Sequence, residues 1–121
     1  MDSKQLAQMC ARYAYDRKSQ QVSIMHVEKN FVLADYFVVC TGNTEKHVKA
    51  IAQEIEVELK KKHSTTCHHI EGYQEGKWIL MDFIDVIVHI YLEDMREFYE
   101  LEDLWADSPK VELEFETSSG S

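Results

Sequence analysis

The chain has 121 residues, a length that accommodates one domain. Its composition, 45% hydrophobic and 29% charged, is that of an ordinary globular protein and excludes a disordered chain. The net charge is −9, and most of the excess negative charge lies in residues 93–121, where ten acidic residues accompany two basic ones. This acidic end argues against nucleic-acid binding there and favours a basic protein partner.

Targeting and redox signals are absent from the sequence. No apolar run approaches the roughly 20 residues of a membrane span, so we expect no membrane association. The first ten residues have neither a signal nor a transit pattern, which predicts the cytoplasm of a bacterium, or an organelle matrix if the chain is processed from a eukaryotic precursor. Three widely spaced cysteines without a CxxC motif indicate reduced thiols.

The first half of the chain predicts a helix, two strands and a second helix. Asp2 and Gln5 form a capping pair before a helix over Ser3–Lys18. β-Branched content predicts a strand over Val22–Glu28, and the apolar run Tyr36–Thr41 predicts a buried one. Thr44 can cap the second helix, whose apolar stripe recurs with helical spacing at Val48, Ile51, Ala52, Ile55 and Leu59.

The second half of the chain is rich in strands. A short strand at Ile70–Gly72 precedes two strands, Trp78–Asp82 and Val86–Tyr91, that only three residues separate, which predicts an antiparallel hairpin. Asp94 and Glu97 can cap a last helix with an apolar face formed by Phe98, Leu101, Leu104 and Trp105. The order α-β-β-α-β-β-β-α predicts one α/β (α+β-like) domain, a mixed five-stranded sheet with helices packed on it.

Histidine and cysteine side chains suggest a metal site that their spacing does not support. Histidine and cysteine are the residue types that bind zinc, and four of them lie close together at His63, Cys67, His68 and His69. A structural zinc site, however, needs four ligands arranged as two spaced pairs, and the sequence has no second pair. If this segment is extended, His68 and His69 point to opposite faces, which favours a polar loop. Cys40 lies inside an apolar strand, where burial disfavours a reactive thiolate. We therefore expect no metal and no thiol catalysis.

Three aspartates near strand ends, Asp35, Asp82 and Asp85, leave an enzymatic alternative open. Carboxylates at such positions can hold magnesium for nucleotidyl transfer. The chain has neither phosphate-binding glycine motif, however, so the simpler interpretation is that these residues fix turns and caps. No nucleophile, base and oxyanion site can be assembled, and we expect a protein without catalytic activity or cofactor.

Aromatic and acidic side chains alternate around the predicted hairpin. Strand alternation places Trp78, Leu80 and Asp82 on one face and Ile79, Met81 and Phe83 on the other. One face must pack on the helices, and the other can present an aromatic anchor in an acidic rim, as in protein-binding hot spots. The alternative is that both faces are covered and the tryptophan belongs to the core.

Several long segments together resemble the ribosomal silencing factor family, also called Iojap. They are, in chain order, LADYFVVCTGN, IEG, WILMDFIDVIVHIY and FYELEDLW, within residues 1–108. The resemblance implies a nucleotidyltransferase-like fold without the catalytic signature. It also implies binding to the large-subunit ribosomal protein numbered fourteen, which blocks joining of the small subunit and represses translation when nutrients are scarce.

The resemblance also implies which residues contact the ribosomal protein. They are Trp78, Leu80, Asp82, Asp85, His89 and Tyr91, with Glu71 and Tyr99 as further candidates. One position departs from the family pattern, because Ile84 stands where a glycine is usual. A β-branched residue disfavours positive φ, so we expect another turn type or a reshaped hairpin tip.

Three further expectations follow. Residues 109–121 have no counterpart in the resemblance, so we predict a domain over residues 1–108 and an acidic tail over residues 109–121. Two alternatives stay open for the tail: it is disordered, or its segment VELEFE (Val111–Glu116) forms an edge strand. An exposed aromatic hairpin could also pair with itself in a homodimer. The alternative function is a metal-dependent nucleotidyltransferase-like enzyme that uses Asp35, Asp82 or Asp85.

Overall fold

The computed structural model describes residues 1–27, 34–98 and 108–115, without the side chains of residues 97 and 98. Within these residues, three helices and six strands follow one another: α1 (Ser3–Asp16), β1 (Gln20–His26), β2 (Tyr36–Gly42), α2 (Glu45–His63), β3 (His69–Glu71), β4 (Trp78–Asp82), β5 (Val86–Leu92), α3 (Glu93–Phe98) and β6 (Lys110–Val111). None of these described helices is long and apolar enough to cross a membrane.

The two long helices begin at the predicted caps. In α1 the Gln5 backbone N–H donates to the Asp2 carboxylate at 2.8 Å, and the Asp2 N–H donates to the Gln5 side-chain oxygen at 3.0 Å, which completes a capping box. In α2 the Thr44 hydroxyl accepts from the His47 N–H at 3.0 Å. The α2 helix ends where Ser64 adopts a left-handed φ of 52°. Both predicted N-caps are confirmed.

In the described part of the chain, the sheet has six strands in the order β3-β4-β5-β2-β1-β6. β2 and β5 are parallel, the other neighbours are antiparallel, and β4 and β5 form the predicted hairpin. The prediction of five strands is therefore wrong by one. The sixth, β6, is only two residues long and is defined by its pairing with β1, a contact that local periodicity cannot reveal.

The segment after Ser108 packs against α1 as well as β1. The buried Gln8 amide nitrogen donates to the Glu112 carbonyl at 2.8 Å, and its oxygen accepts from the Glu114 N–H at 2.9 Å. The Phe115 ring lies 5.8 Å from the Tyr15 ring. Residues 110–115, which the sequence assigned to an acidic tail, thus pair with the domain, while the domain boundary itself stays a prediction.

The main core lies between the sheet and the two long helices. The stripe of α2 is fully buried against strand side chains that include Val38, Ile79, Met81 and Val88. The short α3 follows β5 directly, so Asp94 lies inside the helix rather than at its cap, and that prediction is wrong. Its predicted apolar face, Phe98, Leu101, Leu104 and Trp105, falls outside the described side chains.

Candidate partner-binding surface

The face of the sheet that α1 and α2 leave free carries the alternate residues of β4. Ile79 and Met81 are fully buried toward the helices, so Trp78, Leu80 and Asp82 point the other way, as predicted. The fraction of Trp78 that is exposed, 40%, is high for a tryptophan, and Leu80 and Asp82 are half-buried. This is the free face of β4.

Beneath Trp78 lies an aromatic cluster from the neighbouring strands. The β4–β5 register places Trp78 opposite Tyr91 and Leu80 opposite His89, and the indole lies 5.0 Å from the Tyr91 ring. The His89 ring stacks on Tyr91 at 5.9 Å and meets the edge of Phe37 at 4.7 Å. The indole is therefore supported from below by packed rings.

A buried histidine fixes the orientation of the indole. The Trp78 Nε1–H donates to Nδ1 of His89 at 3.3 Å, and the Tyr91 hydroxyl lies 3.4 Å from the same nitrogen. Burial lowers the pKa of His89 to about 4, so the ring is neutral at neutral pH. Because Nδ1 accepts, the ring proton resides on Nε2.

Exposure separates the predicted contact residues into two groups. Trp78, Leu80 and Asp82 reach the surface, whereas Tyr91 is fully buried and only 5% of His89 is exposed. The last two therefore lie below the surface and support Trp78. Tyr99 falls outside the residues that the structure describes.

The acidic candidates lie along β3 and around the hairpin turn. Glu71 is exposed on β3 opposite Leu80, and its carboxylate lies 3.1 Å from Nε2 of His69. Asp85 is exposed in the turn, and its carbonyl accepts from the Asp35 N–H at 2.7 Å. The turn aspartates thus come together with Asp35 at one end of the sheet.

The hairpin turn keeps a positive φ despite its β-branched residue. Ile84 has φ of 76°, and the Asp85 N–H donates to the Phe83 carbonyl at 3.0 Å, the hydrogen bond of a tight three-residue γ-turn. The Asp82 carboxylate accepts from the Ile84 N–H at 2.7 Å. Ile84 therefore adopts the positive φ that its β-branched side chain disfavours, because these neighbours hold the strained conformation. The expected change of turn type or of tip shape relative to the family stays a prediction.

The histidine and cysteine residues considered for a metal are not arranged as ligands. His63 Nε2 lies 2.8 Å from the Tyr13 hydroxyl, and the Cys67 thiol donates to the His69 carbonyl at 3.3 Å. Within residues 1–27, 34–98 and 108–115, no three His, Cys, Asp or Glu side chains form a group that could hold a metal ion. Cys40 is fully buried, and desolvation raises the pKa of its thiol to about 12.

One buried residue near this surface was missed by sequence reasoning. Arg96 on α3 is 5% exposed, and its guanidinium donates to the Thr41 hydroxyl at 2.8 Å and to the Gln21 carbonyl at 3.1 Å. Gln21 lies in a bulge of β1 with φ of 52°. An arginine on a short acidic helix normally indicates a solvated face, so no local signal identified this contact.

The whole chain, residues 1–121, matches the family described as ribosomal silencing factor during starvation, RsfS. The chain belongs to the RsfS family. Its membership confirms the resemblance drawn from the sequence and supports a regulatory function in ribosome silencing, in association with the ribosome.

Relatives and a solved structure agree with this membership. The chain is 38% identical over 114 residues to the ribosomal silencing factor RsfS of Halalkalibacterium halodurans, a match covering 94% of this chain and 97% of the relative. It is 35% identical over 115 residues to that of Bacillus subtilis, covering 95% and 97%. A crystal structure from Chromobacterium violaceum superposes with a TM-score of 0.82 at 27% identity, covering 98% of this chain and 97% of the other. The predicted α/β fold class is confirmed.

Proposed function

We propose that this chain binds the large ribosomal subunit through the large-subunit ribosomal protein numbered fourteen and so prevents the small subunit from joining. The binding is stoichiometric, needs no cofactor and involves no turnover. The observation that carries the proposal is a tryptophan, 40% exposed, on a sheet face that the two long helices do not cover. The RsfS family supplies the ribosomal context.

The contact surface consists of the free face of β4 and the acidic residues near it. Trp78 and Leu80 provide apolar area, and the pair forms the centre of the contact because buried aromatic residues contribute most of the binding energy at protein interfaces. Asp82, Asp85 and Glu71 lie around that centre. Their negative charge attracts a basic ribosomal protein and orients its approach. Tyr99 remains a proposed further contact.

His89 and Tyr91 act in this surface by positioning Trp78. Their rings lie under the indole, and Nδ1 of His89 accepts its N–H. A side chain held in one orientation loses less conformational entropy on binding than a free one. We therefore place both residues in the binding site as its support and not as its surface.

Repression follows from the size of the bound domain. A folded domain of this length seated on a protein of the large subunit occupies space that the small subunit would need. The site of action is the bacterial cytoplasm, or the organelle matrix for a processed precursor. When the chain is free, the exposed Trp78 surface pairs with a second copy.

Sedimentation with separated ribosomal subunits tests the proposal. Wild-type protein, Trp78→Glu and the control Val57→Glu are each mixed with large or small subunits without nucleotide. Val57 is 47% exposed on α2, which packs on the opposite face of the sheet, so the control adds the same charge away from the site. We expect wild type and control to sediment with the large subunit and Trp78→Glu to remain unbound in the supernatant. Absence of wild-type protein from the large-subunit fraction would refute the proposal.

A further inference from the structure

The tip of the β4–β5 hairpin combines an exposed apolar side chain with a strained backbone. Ile84 is 62% exposed, the largest exposed fraction among the large hydrophobic residues that the structure describes, and its φ is 76°. A positive φ in a β-branched residue is a strained backbone conformation. Asparagine or glycine would adopt this conformation at lower cost.

The strained turn is held from three directions. On one side, the Phe83 ring is buried in the main core. The backbone N–H of Phe83 donates to the Val86 carbonyl at 2.9 Å. On the other side, the Asp85 carbonyl accepts from the N–H groups of Asp35 at 2.7 Å and Tyr36 at 3.2 Å. The Asp82 carboxylate holds the Ile84 N–H itself. These contacts fix the backbone and leave the isoleucine side chain in solvent.

The tip is continuous with the proposed contact surface. Asp82, which holds the Ile84 N–H, is the last residue of the strand that carries Trp78 and Leu80, about 13 Å from Trp78 along β4. That span lies well within one standard protein interface. A single partner that covers Trp78 would therefore also reach the tip.

We propose that Ile84 is a second apolar anchor of this surface, which the fixed turn presents to an apolar recess on the same basic protein partner. The inference rests on the proposed function and adds a residue that determines affinity. It gives a binding role to an isoleucine that stands at a position whose backbone conformation favours glycine. The strain is a cost in the free protein, and the contact made on binding offsets it.

Two variants distinguish the contribution of the Ile84 side chain to binding from the strain in its backbone. Ile84→Gly removes the apolar group and the strain, and Ile84→Asn removes the apolar group while a side chain that tolerates positive φ keeps the turn stiffer than glycine does. Val57→Asn, an exposed β-branched residue on α2, is the matched control. Each variant is measured for its thermal midpoint and for its affinity for purified large subunits.

We expect both Ile84 variants to bind about tenfold more weakly than wild type, the loss typical of a moderate hot spot. Their thermal midpoints should equal or exceed that of wild type, and the control should change neither quantity. Affinity within twofold of wild type in either variant would overturn the inference, as would a lower midpoint in Ile84→Gly. If only these variants bind normally while Trp78→Glu does not, the proposed function survives. If wild type itself fails to bind, both fall.

Discussion

A single neutral histidine connects the core of this protein to its exposed tryptophan. His89 lies between Phe37 and Tyr91, and its Nδ1 accepts the Trp78 indole N–H. The sequence placed His89 within the apolar strand Val86–Tyr91, and the resemblance assigned it to the ribosomal contact. The sequence could not indicate the tautomer or the hydrogen-bond partner, because both depend on the register between β4 and β5.

The lowered pKa of His89 makes stability depend on pH. The folded-state pKa is about 4, below the ordinary value of 6.5, so the unfolded state binds the extra proton first as the pH falls. Stability should decrease between pH 6.5 and 4, by roughly 2 kcal/mol from pH 7 to pH 5. Urea unfolding at several pH values measures this, and His89→Gln should remove that part of the slope. Identical slopes in both proteins would contradict the assignment.

The exposed carboxylate of Asp85 tests the electrostatic part of the account. Asp85→Lys reverses a charge beside the proposed contact, so we expect binding to large subunits about tenfold weaker at low salt, with a smaller difference at high salt. Asp16→Lys makes the same change at the exposed end of α1, on the helix side of the sheet, and should leave binding unchanged. Equal effects of the two variants would show that only net charge matters.

At the scale of elements, the sequence predicted correctly those features that depend on interactions between residues close together in the chain. The caps of α1 and α2, the stripe of α2 and the hairpin followed from spacing within a few residues, and all are present. β6 was left open, and the start of α3 was misplaced. The first depends on a long-range pairing with β1, and the second on a strand that continues into a helix without a separate cap.

The attachment of the C-terminal segment depends on one buried side chain. Gln8→Ala removes both hydrogen bonds to residues 112 and 114, which should lower the free energy of unfolding by about 1–3 kcal/mol. Amide hydrogen exchange at Glu114 should become much faster, while exchange in β4 stays unchanged. Gln53→Ala, an exposed residue on α2, is the control. Unchanged protection at Glu114 would contradict the role given to Gln8.

At the scale of the whole molecule, the sheet divides the protein into two sides. The α1 and α2 helices cover one side and form the main core, and the other side presents Trp78 above its aromatic support. Alternation in β4 predicted which residues share a face, but it left open which face the helices cover. The buried Ile79 and Met81 resolve that question and place Trp78 on the free face.

This arrangement suits a protein that acts by occupying space. In the proposed function, the side covered by the helices provides a stable body and the Trp78 side provides the contact with the partner. Membership of the RsfS family is the reason to expect the ribosome as the site of this contact. The proposed repression of translation therefore depends on the position of the bound domain on the large subunit.

The rate and extent of subunit joining test this claim most directly. Large subunits are incubated with wild-type protein, Trp78→Glu or Val57→Glu, small subunits are added, and light scattering follows the formation of complete ribosomes. The account predicts that wild type and Val57→Glu reduce joining in proportion to the large subunits they occupy, while Trp78→Glu has no effect. Normal joining on large subunits saturated with wild-type protein would contradict it.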